Sequence, residues 1–213
     1  MRVEEAKGAL IKSGALIISL WLFALTSPLP FPLKILSMMS LLGAAFLIGN
    51  LHLTIPEVTF HRNLWKPRPN LGWYILVTVL ISLFLSSVAR QTSGLPFLPV
   101  QTGRFVFVAV FIGIMEELVF RGFVQGSIAV QNQKLAIIIA ALGHAGYKAF
   151  LFVNQHASID ISLSSLFGVT FLAGILMGLS RYWSGSLWPA ILAHGFFDFW
   201  LYGELDVAPW WVW

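Results

Sequence analysis

The chain has 213 residues, 58% of them hydrophobic and only 10% charged, with a mean hydropathy of +0.82, so there is too little polar surface to coat a soluble globule. Its formal net charge of +4 comes from 13 Lys and Arg against 9 Asp and Glu, but the basic residues lie scattered between apolar runs and form no stripe, which excludes a nucleic-acid partner from the reading. There is no Cys, so disulfide frameworks, thiol nucleophiles and Cys-bound zinc are excluded too.

Apolar runs follow one another at about 14–26, 33–55, 71–89, 105–130, 135–153, 163–180 and 187–202. A spanning helix needs about 20 such residues, so the pattern predicts an all-α, polytopic transmembrane bundle of about seven helices. The first run is short, follows Lys7 and Lys12 and ends in TSPLPFP. No A-x-A pattern follows it, and it reads as a retained helix starting near Gly8. The connecting stretches SPLPFP, PEVTFHRNLWKPRPN, RQTSGLPFLPVQTG, NQHASIDIS and YWSGS are rich in the residues that turns use, and none is long enough for a soluble domain.

With the N-terminus cytoplasmic, the inner segments would carry Arg2, Lys7, Lys12, Arg62, Lys66, Arg68, Lys134 and Arg181. The outer ones would carry Lys34, Arg90 and Arg104, with the acidic Glu204 and Asp206 at the outer end. That asymmetry predicts an N-in multi-pass protein. No internal repeat supports a transporter built from inverted halves.

The run 105–130 contains GIMEELVFRG, which puts Glu116, Glu117 and Arg121 where hydrocarbon is expected. Each charge facing lipid at mid-bilayer costs about 2.5–3.5 kcal/mol, so three would cost roughly 8 kcal/mol; they must face the interior. Two later runs carry polar residues of their own, His144 with Lys148 and His194 with Asp198, each pair at i and i+4 and therefore on one helix face. Glu117 and Arg121 have the same spacing and are expected to pair, which leaves Glu116 to act as a general base.

A carboxylate, two imidazoles and no thiol suit water activation and amide hydrolysis. Zinc stays open at this point, since His144, His194 and Glu116 would form a His₂Glu set, although no H-E-x-x-H supplies two ligands from one helix. An aspartyl route lacks its second intramembrane Asp, because Asp198 is the one clear case. A serine route through Ser180 of GLSR with His194 as base leaves Glu116, Glu117 and His144 unused. The rival of another class is a non-catalytic membrane scaffold or small-solute transporter that uses Glu117 and Arg121 as a clamp or the buried charges as a proton relay.

These residues resemble the CPBP family of intramembrane proteases, which includes the type II CAAX prenyl endopeptidases and bacterial Abi-type membrane proteins. The E-E-x-x-x-R motif matches at Glu116, Glu117 and Arg121, and H-x-x-x-N/D matches at His194 and Asp198 after GSLWPA. F-x-x-x-H matches in part, with His144 in place and Ala140 at the Phe position. The resemblance covers about residues 105–202. It implies a catalytic helical core over 104–203, preceded by about three N-terminal transmembrane helices over 1–103 that contribute only hydrophobicity and followed by a short tail over 204–213.

It further implies that Glu116 activates water with His144, that His194 and Asp198 line the oxyanion side, and that Glu117 and Arg121 hold the motif in shape. An ionised Asp cannot donate to an oxyanion as an Asn can, so Asp198 is expected to orient His194 by accepting from its ring. The implied mechanism is glutamic, without a cofactor. The implied partners are a membrane-anchored protein or peptide substrate and the lipid bilayer, in a bacterial or archaeal cell membrane. Elsewhere, Gly122/Gly126 and Gly174/Gly178 are expected to allow close helix packing. Trp183, Trp188, Trp210, Trp211 and Trp213 are expected to anchor at the interface, Lys148 to snorkel or pair, and His52, His61 and His156 to have no role.

Overall fold

Apolar runs become helices because, in hydrocarbon, a backbone N–H or C=O finds its partner within its own segment. The computed structural model describes residues 3–54, 65, 68–92, 94–153 and 162–206, and these are helical throughout apart from their connections, with no strand among them. The helices are α1 (Val3–Thr26), α2 (Lys34–Thr54), α3 (Leu71–Thr92), α4 (Phe105–Glu117), α5 (Gln125–Ala129), α6 (Gln133–Val153), α7 (Leu163–Ser184) and α8 (Trp188–Leu201). Between α4 and α5, Leu118–Val124 is wound as a π-helix, so 105–129 is one helical run of three windings and the expected number of about seven holds.

Five helices are long and apolar enough to cross a membrane: Ala6–Thr26, Lys34–Thr54, Leu71–Thr92, Gln133–Val153 and Leu163–Ser184. The first begins at Val3, ahead of the expected Gly8. The last expected span is α8, whose 14 residues rise about 21 Å, short of a hydrocarbon core of about 30 Å. Its apolar run of 187–202 overstated its helical length, because Trp188 and Pro189 open the helix and it ends at Leu201.

The chain divides into two compact units, one of residues 1–61 with 119–178 and the other of 62–118 with 179–213. In the first, α1 packs on α2, α5 and α6 around Leu16, Leu51, Phe120, Val124 and Ile128. Glycines let α1 approach α6: a Cβ on Gly146 would stand 2.7 Å from the Trp21 ring, and one on Gly143 would stand 2.9 Å from Ile17. The Trp21 indole N–H then donates to the Gly143 carbonyl at 2.9 Å. Small residues at a contact are how membrane helices gain van der Waals packing where apolar burial offers no net drive. Gly174 and Gly178 on α7 serve the same end, since a Cβ on Gly178 would lie 2.9 Å from Ile137.

In the second unit α8 packs on α3 and α4. The buried face of α3 is polar, with Thr78, Ser82, Ser86 and Arg90 at four-residue intervals, while Leu76, Leu80, Phe84 and Val88 are exposed. That inversion of a soluble helix suits a segment whose outer face meets lipid. Arg90 is fully buried. Its Nε donates to the Pro96 carbonyl at 2.7 Å, Nη1 to the Trp200 carbonyl at 3.2 Å, and Nη2 to Glu204 Oε1 at 3.0 Å. The Val100 N–H also donates to Glu204, at 2.8 Å. That bond first and the Arg90 guanidinium second, against the opposing desolvation, hold the Glu204 carboxyl below its usual range. Arg90, expected as an outer-loop charge, is instead a buried clamp on the end of α8.

Candidate functional site

The second unit collects three carboxylates around one imidazole. The end of α4 supplies Glu116 and Glu117, and α8 supplies His194 and Asp198 one turn apart, all four buried. His194 Nδ1 stands 2.8 Å from Glu117 Oε1, a hydrogen bond, and its Nε2 stands 3.6 Å from both Glu116 Oε2 and Asp198 Oδ2. The approach depends on Gly113, one turn before Glu117. A Cβ there would lie 2.5 Å from Asp198 Oδ2 and 3.0 Å from His194 Cδ2, so any larger residue would displace the pair.

The chemistry of this cluster is acceptor-rich. A carboxylate beside an imidazole can take a proton from water and pass it on, and burial strengthens each charge-assisted bond. The Nε2–carboxylate spacing of 3.6 Å also suits two ligands on one ion with bonds of about 2.0–2.2 Å, whether His194 is taken with Glu116 or with Asp198. Both ring nitrogens of His194 face carboxylates, whereas the serine route needs one of them on Ser180.

The first unit holds the other imidazole in opposite company. Arg121, in the π-helical turn, is fully buried, and its Nη1 lies 2.9 Å from His144 Nδ1 on α6. Gly174 on α7 makes room for the guanidinium, since a Cβ there would stand 2.8 Å from Arg121 Nη2. The Phe120 ring stacks on the His144 ring with centroids 4.8 Å apart and planes 21° apart. Ala140, one turn before His144, is buried in the core. The aromatic missing from the F-x-x-x-H position thus arrives from the neighbouring helical run.

The expected Glu117–Arg121 pairing assumed α-helical spacing. Across Leu118–Val124 the backbone bonds run i to i+5, and within its own unit Glu117 bonds the His194 imidazole and Arg121 the His144 imidazole. Lys148 is half-buried on α6, His52 is exposed at the end of α2, and Trp183 is exposed at the end of α7 as an interfacial anchor would be. His61, His156, Trp210, Trp211 and Trp213 lie outside the described residues. Sequence reasoning passed over Gly113 and Phe120; their signal was proximity to the charged motif, Gly113 inside GIMEE and Phe120 directly before Arg121.

Residues 98–200 match the family described as type II CAAX prenyl endopeptidase Rce1-like, close to the 105–202 over which the motifs carried the resemblance. No curated protein and no solved structure matches the chain.

Proposed function

From the match of residues 98–200 to the type II CAAX prenyl endopeptidase Rce1-like family, we propose a glutamic intramembrane endopeptidase that hydrolyses a peptide bond in a membrane-tethered or C-terminally anchored protein. The observation that carries this reading is the buried Glu116 carboxylate 3.6 Å from an imidazole that Glu117 already orients. Glu116 takes a proton from water as the oxygen attacks the scissile carbonyl, and returns it to the leaving amine as the C–N bond breaks. His144 orients the water, His194 serves the developing oxyanion, and Asp198 orients His194. The N-terminus is cytoplasmic in this reading, in a bacterial or archaeal cell membrane. Prenylated CAAX tails, leader peptides and C-terminal sorting helices are the substrate classes that fit.

The test is cleavage of a panel of such membrane-anchored substrates in proteoliposomes by the wild type, Glu116→Gln and His144→Ala, with and without a strong zinc chelator. Cleavage lost in both variants and indifferent to chelator is the expected result. Cleavage abolished by chelator and restored by zinc moves the same residues into a metal site. A folded wild type that cleaves no member of the panel returns the cluster to the role of clamp or proton relay.

A further inference from the structure

The stretch QTSGLPFLPVQTG, residues 91–103, joins α3 to α4 and carries no charge. In its middle Leu95, Phe97, Leu98 and Val100 are all exposed, Val100 at 78%. Four large apolar side chains on one short loop are unfavourable in water and at home in hydrocarbon. We infer that the loop Leu95–Val100 is immersed in lipid, a hydrophobic element at the end of α3 whose partner is the acyl chains at the boundary of the bilayer core.

Apolar side chains alone do not allow irregular backbone to enter hydrocarbon, because its N–H and C=O groups need partners within the protein. This loop has them. The Leu95 N–H donates to the Arg90 carbonyl at 2.9 Å and the Val100 N–H to Glu204 Oε1 at 2.8 Å. Pro96 and Pro99 have no N–H to satisfy. Arg90 Nε donates to the Pro96 carbonyl at 2.7 Å and Nη2 to the Leu98 carbonyl at 3.4 Å, while the Trp200 indole N–H donates to the Phe97 carbonyl at 3.2 Å. Three successive carbonyls are thus taken up by donors from α3 and α8. The guanidinium that serves two of them is itself offset by Glu204, at 3.0 Å, so the clamp adds no uncompensated charge.

The loop also lies at the right level. Arg90 belongs to the candidate span Leu71–Thr92, and these bonds fold the loop back onto the last turn of that span. The exposed row Leu76, Leu80, Phe84 and Val88 leads along α3 to the loop, and Arg104, the first charge after it, is exposed. The inference needs only that the chain crosses a membrane, and it stands apart from the endopeptidase reading.

The test is spin-label accessibility in nanodiscs. The chain has no Cys, so single Cys variants need no other substitution. Leu98→Cys and Val100→Cys report on the loop, with Phe84→Cys as the lipid reference and Arg104→Cys as the polar one. Electron paramagnetic resonance reads collision of each label with oxygen, which partitions into lipid, and with a water-soluble nickel chelate. The labels at 98 and 100 should match the oxygen-to-nickel ratio at 84 and exceed that at 104. Ratios equal to that at 104 place the loop in water and overturn the inference. Labels shielded from both reagents place protein over the loop, a second copy or another chain, and overturn it as well. Arg90→Met strands the Pro96 and Leu98 carbonyls and should shift the label at 98 toward the nickel reagent, with the label at 84 unmoved. A label at 98 that keeps its lipid ratio in folded Arg90→Met overturns the clamp as the anchor of the loop, and the four labels in the wild-type background decide the immersion without that variant.

Discussion

In the second unit His194 meets Glu116, Glu117 and Asp198, whereas in the first His144 sits under the Phe120 ring with a guanidinium on its Nδ1. Both are buried to nearly the same degree, 5% and 3% exposed. Burial therefore does not distinguish them; the bond each makes at Nδ1 within its own unit does. A carboxylate accepts from a ring nitrogen and a guanidinium donates to one, so the two rings meet opposite hydrogen-bonding partners at Nδ1.

The largest expected effect separates the base from its surroundings. Glu116→Gln should lower turnover by about 10²–10⁴-fold with an unchanged Tm, measured by cleavage in proteoliposomes and by thermal unfolding in detergent. A parallel loss of Tm would make Glu116 a structural neighbour of His194 and not the base.

Next in size is the clamp on the end of α8. Arg90→Met orphans the carbonyls of Pro96 and Trp200 and a carboxylate, and should destabilise the protein by about 3 kcal/mol in denaturant titrations.

Paired glycine variants sharpen the comparison further. Gly113→Ala drives a methyl toward Asp198 and His194, and Gly174→Ala drives one toward Arg121. Each should cost about 1–3 kcal/mol, with the first perturbing the His194 resonances and the second those of His144. Unmoved His194 resonances in the first variant, or unmoved His144 resonances in the second, would contradict these close approaches.

The smallest effect is a pH dependence. Glu204 has a lowered pKa in the folded protein, so its contribution is complete above the unfolded carboxylate pKa of about 4.3 and disappears as pH falls through the lower folded value. The Tm difference between wild type and Glu204→Gln should be constant above about pH 5 and shrink toward zero in stronger acid. A difference that grows in acid would reverse the sign and remove Arg90–Glu204 as the source.

The helical runs were legible because a membrane demands long apolar segments, and His194 and Asp198 share a face of α8 as their spacing required. The turn at Leu118–Val124 was not legible. LVFRGFV has no feature that marks a widened turn, so the bonds of Glu117 to His194 and of Arg121 to His144 could not be drawn from spacing. The stacking of Phe120 was hidden for a related reason, since an aromatic at 140 is what the motif called for and the ring came from another helical run. Arg90 looked like a loop charge because its acceptors are carbonyls of Pro96 and Trp200, which any residue could provide and no pattern records.

That same arginine has a consequence for how α8 breathes. Helix ends normally fray because their last carbonyls have no partner in the helix, and amides there exchange with solvent deuterium long before those in the middle. At the end of α8 the guanidinium of Arg90 reaches the carbonyls of Trp200 and Leu201, at 3.2 and 3.4 Å, and places a cation at the negative pole of the helix. Opening the final turn would break these bonds together with the Glu204 contact, so its amides should exchange nearly as slowly as those around His194.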